Sequence, residues 1–469
     1  MITSVEDDLL QTGFVCTPRL AAAILGYPRS FLPGRNVHAK LAVRCVLGYE
    51  ERSLFALPSL RRGIGGVINV HRANDPVDVS PVRSSADLKA FIELPYRLYG
   101  PADSWVPPLR MEVKKQLDRN RNPFFRHAEA EYFVARRGPR AIGRISAHVD
   151  RHLNEFQGNR WGLWGWFECE DDTEAAAALF GAAADWLRQR GRDRMVGPMS
   201  FTTNDECGLL VEGHEIEPTI FEAWQPVYYQ RLIGDAGFIK AMDLFMWQIE
   251  LKDEGAVYDV IRQMSSQVED DPRYQLRRFT KKTLQADVAA FLDIYNSSWA
   301  KNWGFVPLDE EEVRHYANDL RPVLDSNWAM MVIDNENGET AGGVLTLPDY
   351  NQVLKHLGGS LFPFGWLKAL WWRRKINRIR VFALGVKPQY RKTGVAAYLY
   401  TQHFVAGRRL GVQIGSMGWV LEVNKPMNRA LEALAGKVTK RLRLYERGLE
   451  EGIERSWPGD AEAYRPQPN

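Results

Sequence analysis

The run Arg391-Lys392-Thr393-Gly394-Val395-Ala396 sets two cations, a hydroxyl and a glycine in six residues, just after Pro388 and ahead of a helical pattern. Such a segment can hold an anion. Successive backbone amides are unpaired at a helix start, the helix dipole adds partial positive charge, and Gly394 removes a side chain where a ligand or helix must approach. Pro388 cannot donate to a ladder, so strand pairing should lapse there. On these residues alone, a plain strand-to-helix joint and a phosphate cradle are equal alternatives.

A second group lies at Asn204, Asp205 and Glu206, followed by Trp224 and Tyr228. The ends of strands are where α/β folds gather ligands. These five are therefore candidate substrate contacts, the alternative being a capped turn with core aromatics. Cys207 has no histidine at usable spacing. The nine histidines, His148 and His152 included, form no HExxH, and Cys16, Cys45, Cys169 and Cys207 form no CxxC, so no metal is expected and the thiols read as reduced.

These residues need elements to position them. At 469 residues the chain suggests two or three domains, and 45% hydrophobic with 25% charged content fits a soluble globular protein. A net charge of +3 gives no field for nucleic acid. The start MITSVEDDLL is no secretory signal and no apolar run reaches 18 residues, so a cytoplasmic location is expected.

Residues 1–77 are punctuated by glycine and proline and read as a poorly structured extension, or as a segment translated from too early a start. From Val79 the pattern turns regular: strand, a helix ended or kinked by Pro95, a hairpin around Arg137-Gly138-Pro139, a strand, the alanine-rich helix TEAAAALFGAAADWLRQRG, and further strands and a helix to Leu251. The same order recurs after Gln275. The expected domains are 78–252 and 275–460, joined by a linker at 253–274, as an internal duplication would give.

Together, LGVKPQYR, Arg391–Ala396 and WVLEVNKPMNRALEALAG resemble the GNAT acyltransferase superfamily, whose loop has the form Arg/Gln-x-x-Gly-x-Gly/Ala. The resemblance is sharp over 375–446 and reaches 275–455 through element order; 78–252 resembles it more faintly. It implies an α/β (α+β) fold of two tandem GNAT-like domains, each a mixed, mostly antiparallel twisted sheet flanked by helices. It implies acetyl-coenzyme A or another acyl-coenzyme A as donor. Leu384, Gly385 and Val386 would meet the pantetheine; Gln389, Arg391, Lys392, Thr393, Gly394, Val395 and Ala396 the pyrophosphate; and Asn428 would sit near the pantetheine. The equivalent loop of the first half, ECEDDTE, is acidic and would repel a phosphate, so one cofactor site is expected.

The resemblance also makes Glu422, on the strand that lines the acyl site in such folds, a candidate base, the alternative being a solvent-facing or salt-bridged carboxylate on an alternating strand. Where the family often has a tyrosine acid, this chain has Glu432, leaving Tyr398, Tyr400 or water for that role. The expected activity is acyl transfer to an amine of a small molecule or peptide. Alternatives are an acyl-ACP dependent N-acyl amino acid synthase, a Fem-type peptidyltransferase and a non-enzymatic acyl-coenzyme A sensor. The segment 361–380, LFPFGWLKALWWRRKINRIR, mixes aromatic and basic residues; it reads as a helix packed between the halves or one lying on a membrane or lipid.

Overall fold

The computed structural model describes residues 75–251, 257–300 and 302–453. The reading for 1–77, with Cys16 and Cys45, falls almost wholly outside them. The first half runs β1 (Val77–Pro81), α1 (Ser85–Leu98), α2 (Arg110–Gln116), β2 (Ala128–Arg137), β3 (Arg140–Asp150), α3 (Arg151–Gln157), β4 (Trp161–Cys169), α4 (Thr173–Arg188), β5 (Arg194–Gly197), β6 (Leu209–Glu212), α5 (Tyr229–Asp235) and β7 (Ile239–Glu250). Helix α6 (Val257–Glu269) occupies the expected linker. The second half repeats the order: β8 (Tyr274–Arg278), α7 (Leu284–Trp299), α8 (Glu310–Leu320), β9 (Ala329–Asp334), β10 (Thr340–Pro348), the inserted α9 (Asn351–Leu354) and α10 (Gly365–Trp372), then β11 (Arg378–Val386), α11 (Val395–Leu410), β12 (Ile414–Leu421), α12 (Lys425–Ala433) and β13 (Lys437–Gly448).

Local sequence explains most of these elements. Ser84 caps α1 in a capping box with Asp87. Gly138, with φ 55°, closes the β2–β3 hairpin. In α4 the residues Ala175, Ala176, Leu179, Phe180, Ala183 and Leu187 recur at helical spacing and are buried against the sheet.

Pro95 does not end its helix: α1 continues to Leu98 with Pro95 inside and buried. A proline frees the carbonyl four residues back, here that of Phe91. The buried guanidinium of Arg144 donates to that carbonyl at 2.6 Å, so a tertiary hydrogen bond replaces the helical one.

One thirteen-stranded sheet runs through both halves, in the order β1-β2-β3-β4-β5-β13-β7-β12-β11-β10-β9-β8, with β6 also pairing β13. Among the described strands only β4–β5 and β11–β12 are parallel. The fold is thus the mixed, mostly antiparallel sheet flanked by helices that the sequence implied. Unforeseen is the exchange at its centre. The second half's last strand, β13, pairs with β5 of the first half, while β7 pairs with β12 of the second. The two halves therefore share their central strands.

Candidate active site

The parallel ladder of β11 and β12 runs only from Arg378↔Ile414 to Val381↔Met417. Beyond it the strands part, and β12 shifts register against β7 between Met417 and Val420. The fork opens into a cleft of about 130 Å³. Its walls include Val381–Leu384 of β11, Gly418–Leu421 of β12 and Tyr400 of α11. The first half contributes Thr203, Asn204, Asp205 and Phe221, and the chain after α7 contributes Trp303 and Phe305.

Asp205 is the carboxylate of this cleft. Burial pushes its pKa up to about 7, outweighing the hydrogen bonds that Oδ2 accepts from the Thr202 N–H and hydroxyl, both at 3.2 Å. Beside it, Asn204 Oδ1 accepts from the Tyr295 hydroxyl at 2.5 Å and its Nδ2 donates to the carbonyl of Val306, which fixes the turn to the second half. A carboxyl poised near neutral pH can take a proton from an amine.

Two buried donors on cleft-lining residues have no acceptor among the described residues: Nε1 of Trp303 and Nε of Arg380. A buried donor without a partner costs free energy, so a polar substrate group here would be stabilised. Arg380 itself is anchored to the carbonyls of Ile220 and Gly418. Its fixed charge disfavours a second cation nearby, which helps keep an amine neutral.

Phe221 reaches the cleft because its loop is clamped from below. Asp349 accepts from the Ile220 N–H at 2.8 Å and pairs with Arg378, while Asn351 donates to the Pro218 carbonyl. Lys440 of β13 makes a buried ion contact with Glu222, 3.1 Å long. The Phe221 ring packs edge-on against Phe382, and both are about two-fifths exposed, forming an apolar rim.

Tyr400 lines the cleft, and burial raises its pKa to about 12, so it stays a proton donor across the neutral range. Its only partner among the described residues is the Met427 sulfur at 3.8 Å. A thiol leaving group of pKa about 8.5 needs modest help to depart. Tyr400→Phe is therefore expected to lower kcat about tenfold, less than the loss of a full general acid. Stopped-flow measurement of thiol release checks this; an unchanged rate would leave the proton to water.

The other expected residues fall into three groups. Leu384 lines the cleft, whereas Gly385 is buried so tightly that an added Cβ would lie 2.9 Å from Ser298 Oγ and from the Trp299 ring. Val386, Gln389, Arg391, Lys392 and Thr393 lie at or near the surface, and Val395 is buried with Ala396 half-buried at the start of α11. Gly394 has φ 89°, and an added Cβ would stand 2.5 Å from the Met264 carbonyl oxygen. The glycine thus makes room for α6, not only for a ligand.

The start of α11 nonetheless has no side-chain cap. In the first half, α4 is capped by its own Asp172, which also pairs with Arg137. There the fork between β4 and β5 is closed as well. The Cys169 N–H donates to the Tyr229 hydroxyl at 2.8 Å, and its carbonyl accepts from the Tyr228 hydroxyl at 2.7 Å. The first half fills both its anion position and its strand edge with protein.

The expectations for Glu422, Tyr398, Trp224, Tyr228 and Glu206 are corrected, while Asn428, the two thiols and the two histidines have the surroundings given with them. Glu422 is an ion-pair carboxylate: one oxygen accepts from Lys240 Nζ at 2.7 Å and the other from the Asp243 N–H at 3.0 Å. Tyr398 is buried with Val268 and Tyr390, away from the cleft. Asn428 ties α12 to β12 through the Leu421 carbonyl and accepts from Trp247 Nε1. Trp224 is core, donating to the His214 carbonyl, and Tyr228 is the plug just described. Glu206 is exposed beside the cleft and does not line it. Cys169 and Cys207 are buried thiols whose pKa burial pushes up. His148 binds the Phe201 carbonyl, while His152 stacks on His127, so they are no ligand pair. Among the described residues no cluster of three or more His, Cys, Asp or Glu is arranged to hold a metal.

The strand and helix order repeats in the two halves, with the fork between the parallel strands open in the second and plugged in the first, which is the tandem arrangement that the resemblance to the GNAT superfamily implied. The chain belongs to the family of a Caulobacter vibrioides protein named bacterial ceramide synthase, with which it is 36% identical over 384 residues, 80% of this chain and 98% of that protein. Escherichia coli YghO is a further relative, 32% identical over 370 residues, 77% of this chain and 93% of that one. No protein-family model matches the chain. Among solved structures, a tandem GNAT protein from the clavulanic acid biosynthesis pathway is 11% identical with a TM-score of 0.48, covering 80% of this chain and all of that one. A GCN5-related N-acetyltransferase from Sphaerobacter thermophilus is 14% identical with a TM-score of 0.45, covering 81% and 98%.

Sequence reading missed Phe221, Trp303, Arg380 and Phe382. Only the aromatic clustering in WAKNWGF carried a local signal for the second of these.

Proposed function

We propose that the protein joins a long-chain acyl group to the amine of a long-chain amino alcohol, forming an amide of the ceramide type, with an acyl-coenzyme A as donor. The observation that carries this reading is the cleft itself: apolar aromatic walls around one carboxyl of raised pKa and two unpartnered donors. An apolar wall selects alkyl chains, while Trp303 Nε1 and Arg380 Nε suit the oxygen of an amino alcohol. The relative named bacterial ceramide synthase supports the same acceptor class.

The uncapped amides at the start of α11, with Arg391 and Lys392, would hold the pyrophosphate. The bound donor supplies a thioester carbonyl. Asp205 takes the proton of the attacking amine, Arg380 keeps that amine neutral, and Tyr400 gives a proton to the departing sulfur. The apolar rim of Phe221 and Phe382 limits water at the fork.

The test offers the protein palmitoyl- and acetyl-coenzyme A with a long-chain amino alcohol and follows amide formation by mass spectrometry. Each pair of buried methylenes is worth about tenfold in transition-state binding, so the palmitoyl donor should exceed the acetyl donor at least tenfold in kcat/KM. Equal rates, or turnover only with short polar amines, would overturn the reading. Turnover with a long-chain acyl carrier protein and none with coenzyme A esters would overturn the donor.

A further inference from the structure

From Tyr350 to Leu421 the chain contains no aspartate or glutamate and twelve lysines and arginines, in a protein whose net charge is only +3. The inserted helix α10 lies within this stretch. It was open, from sequence, to packing between the halves; instead none of its residues is buried. Phe364 and Trp371 are 62% and 54% exposed, and Phe362, Trp366, Leu367 and Leu370 are exposed beside them. Lys368 is exposed on the helix, and Arg373, Arg374 and Lys375 are exposed at its end. The Lys375 ammonium stands 3.6 Å over the Trp371 ring, so aromatic and cationic groups share one face.

An apolar patch of this kind costs free energy in water and marks an interface. Aromatic residues with flanking cations fit the boundary of an anionic bilayer, where rings enter the acyl region and cations meet phosphates. Neither α10 nor the basic turn after it contains an acid, so this segment itself carries no charge that such a surface would repel. Among the described residues no helix is long and apolar enough to cross a membrane, so the contact is interfacial. The patch also connects to the cleft. Lys355, just after α9, pairs with Glu217, and Asn351 holds Pro218, in the loop that carries Phe221 to the rim.

We propose that α10 and the basic turn after it dock the protein on an anionic phospholipid bilayer. Docking follows from surface chemistry and does not depend on the proposed donor or acceptor. The cleft, about 130 Å³, is comparable with the roughly 150 Å³ cavity that holds one benzene ring, so it has room for the reacting groups and the first few methylenes of a chain while the rest of the lipid tails would remain at the bilayer.

The experiment is co-sedimentation of the full chain with vesicles of phosphatidylcholine, with and without phosphatidylglycerol. Wild type should bind the anionic vesicles, and its tryptophan emission should shift to the blue. Phe364→Ser/Trp366→Ser/Trp371→Ser should weaken binding at least tenfold without changing the melting temperature, because these side chains are exposed. Lys368→Ala/Arg374→Ala should weaken it about tenfold, an effect that high salt reproduces in the wild type. Wild type remaining in solution with both vesicle types, or equal binding by the triple variant, would overturn the proposal. So would a wild-type dimer that the triple variant converts to monomer with no vesicle binding, which would make this face a contact between copies of the chain.

Discussion

Asp205→Asn should lower kcat about 10²- to 10⁴-fold, the span of a lost general base, while leaving the protein at least as stable. Wild-type activity should rise with pH and level off above about 7, where Asp205 is ionised, and this limb should vanish in the variant. The stability sign runs the other way from an ordinary carboxylate. Its folded pKa lies above its unfolded value near 4, so the native state holds the proton more tightly between about pH 4 and 7, and stability falls across that window. Asparagine carries no such charge and keeps an oxygen for the Thr202 donors, so the variant should melt no lower than wild type, and higher above pH 7. A pH–rate profile and melting curves at pH 5 and 8 check both halves. An unaltered acid limb in Asp205→Asn would assign the base elsewhere; a large drop in melting temperature would make the residue structural.

Lys440→Met should cost about 3–5 kcal/mol of folding stability, as expected when one partner of a buried ion pair is removed. Lys440 and Glu222 are 1% and 3% exposed, so Glu222 would be left charged without its cation. Its Oε2 retains the Thr219 N–H and hydroxyl. The loop that carries Phe221 would loosen, and KM for a long-chain substrate should rise with it. Adding Glu222→Gln should restore most of the stability by removing the stranded charge. Urea unfolding of the two single variants and the double variant measures the coupling; additive losses would show that the pair contributes nothing as a pair.

The repeat of elements was legible because hydrophobic period and glycine or proline punctuation are local, as in the alanine stripe of α4 and the Gly138 hairpin. Strand partnership is not local. The alternating pattern of TKRLRLYER marks β13 as a strand but cannot say that it lies against β5 and β7. The same limit acted at the site. Gly394 was singled out by its spacing, yet the nearest atom to an added side chain belongs to α6, well over a hundred residues earlier. Glu422 reads as a carboxylate on a strand, and its fate is decided by Lys240 in the other half. Phe221 has no motif, because its position depends on Asp349, Asn351 and Lys440, which lie far along the chain. Pro95 shows the reverse: a strong local stop signal did not end α1, and Arg144 takes up the carbonyl that the proline frees.

The crossed pairing of β7 and β13 also bears on how the protein is made. A ribosome delivers β5 and β7 long before β13, the last strand described, so the amino-terminal half emerges with two strand edges waiting for a partner that comes at the end. Unpaired edges of that kind invite pairing with other chains. A transcript cut short ahead of β13 would therefore yield not a smaller working unit but a chain with both edges open, and completing the first core depends on synthesising the last strand.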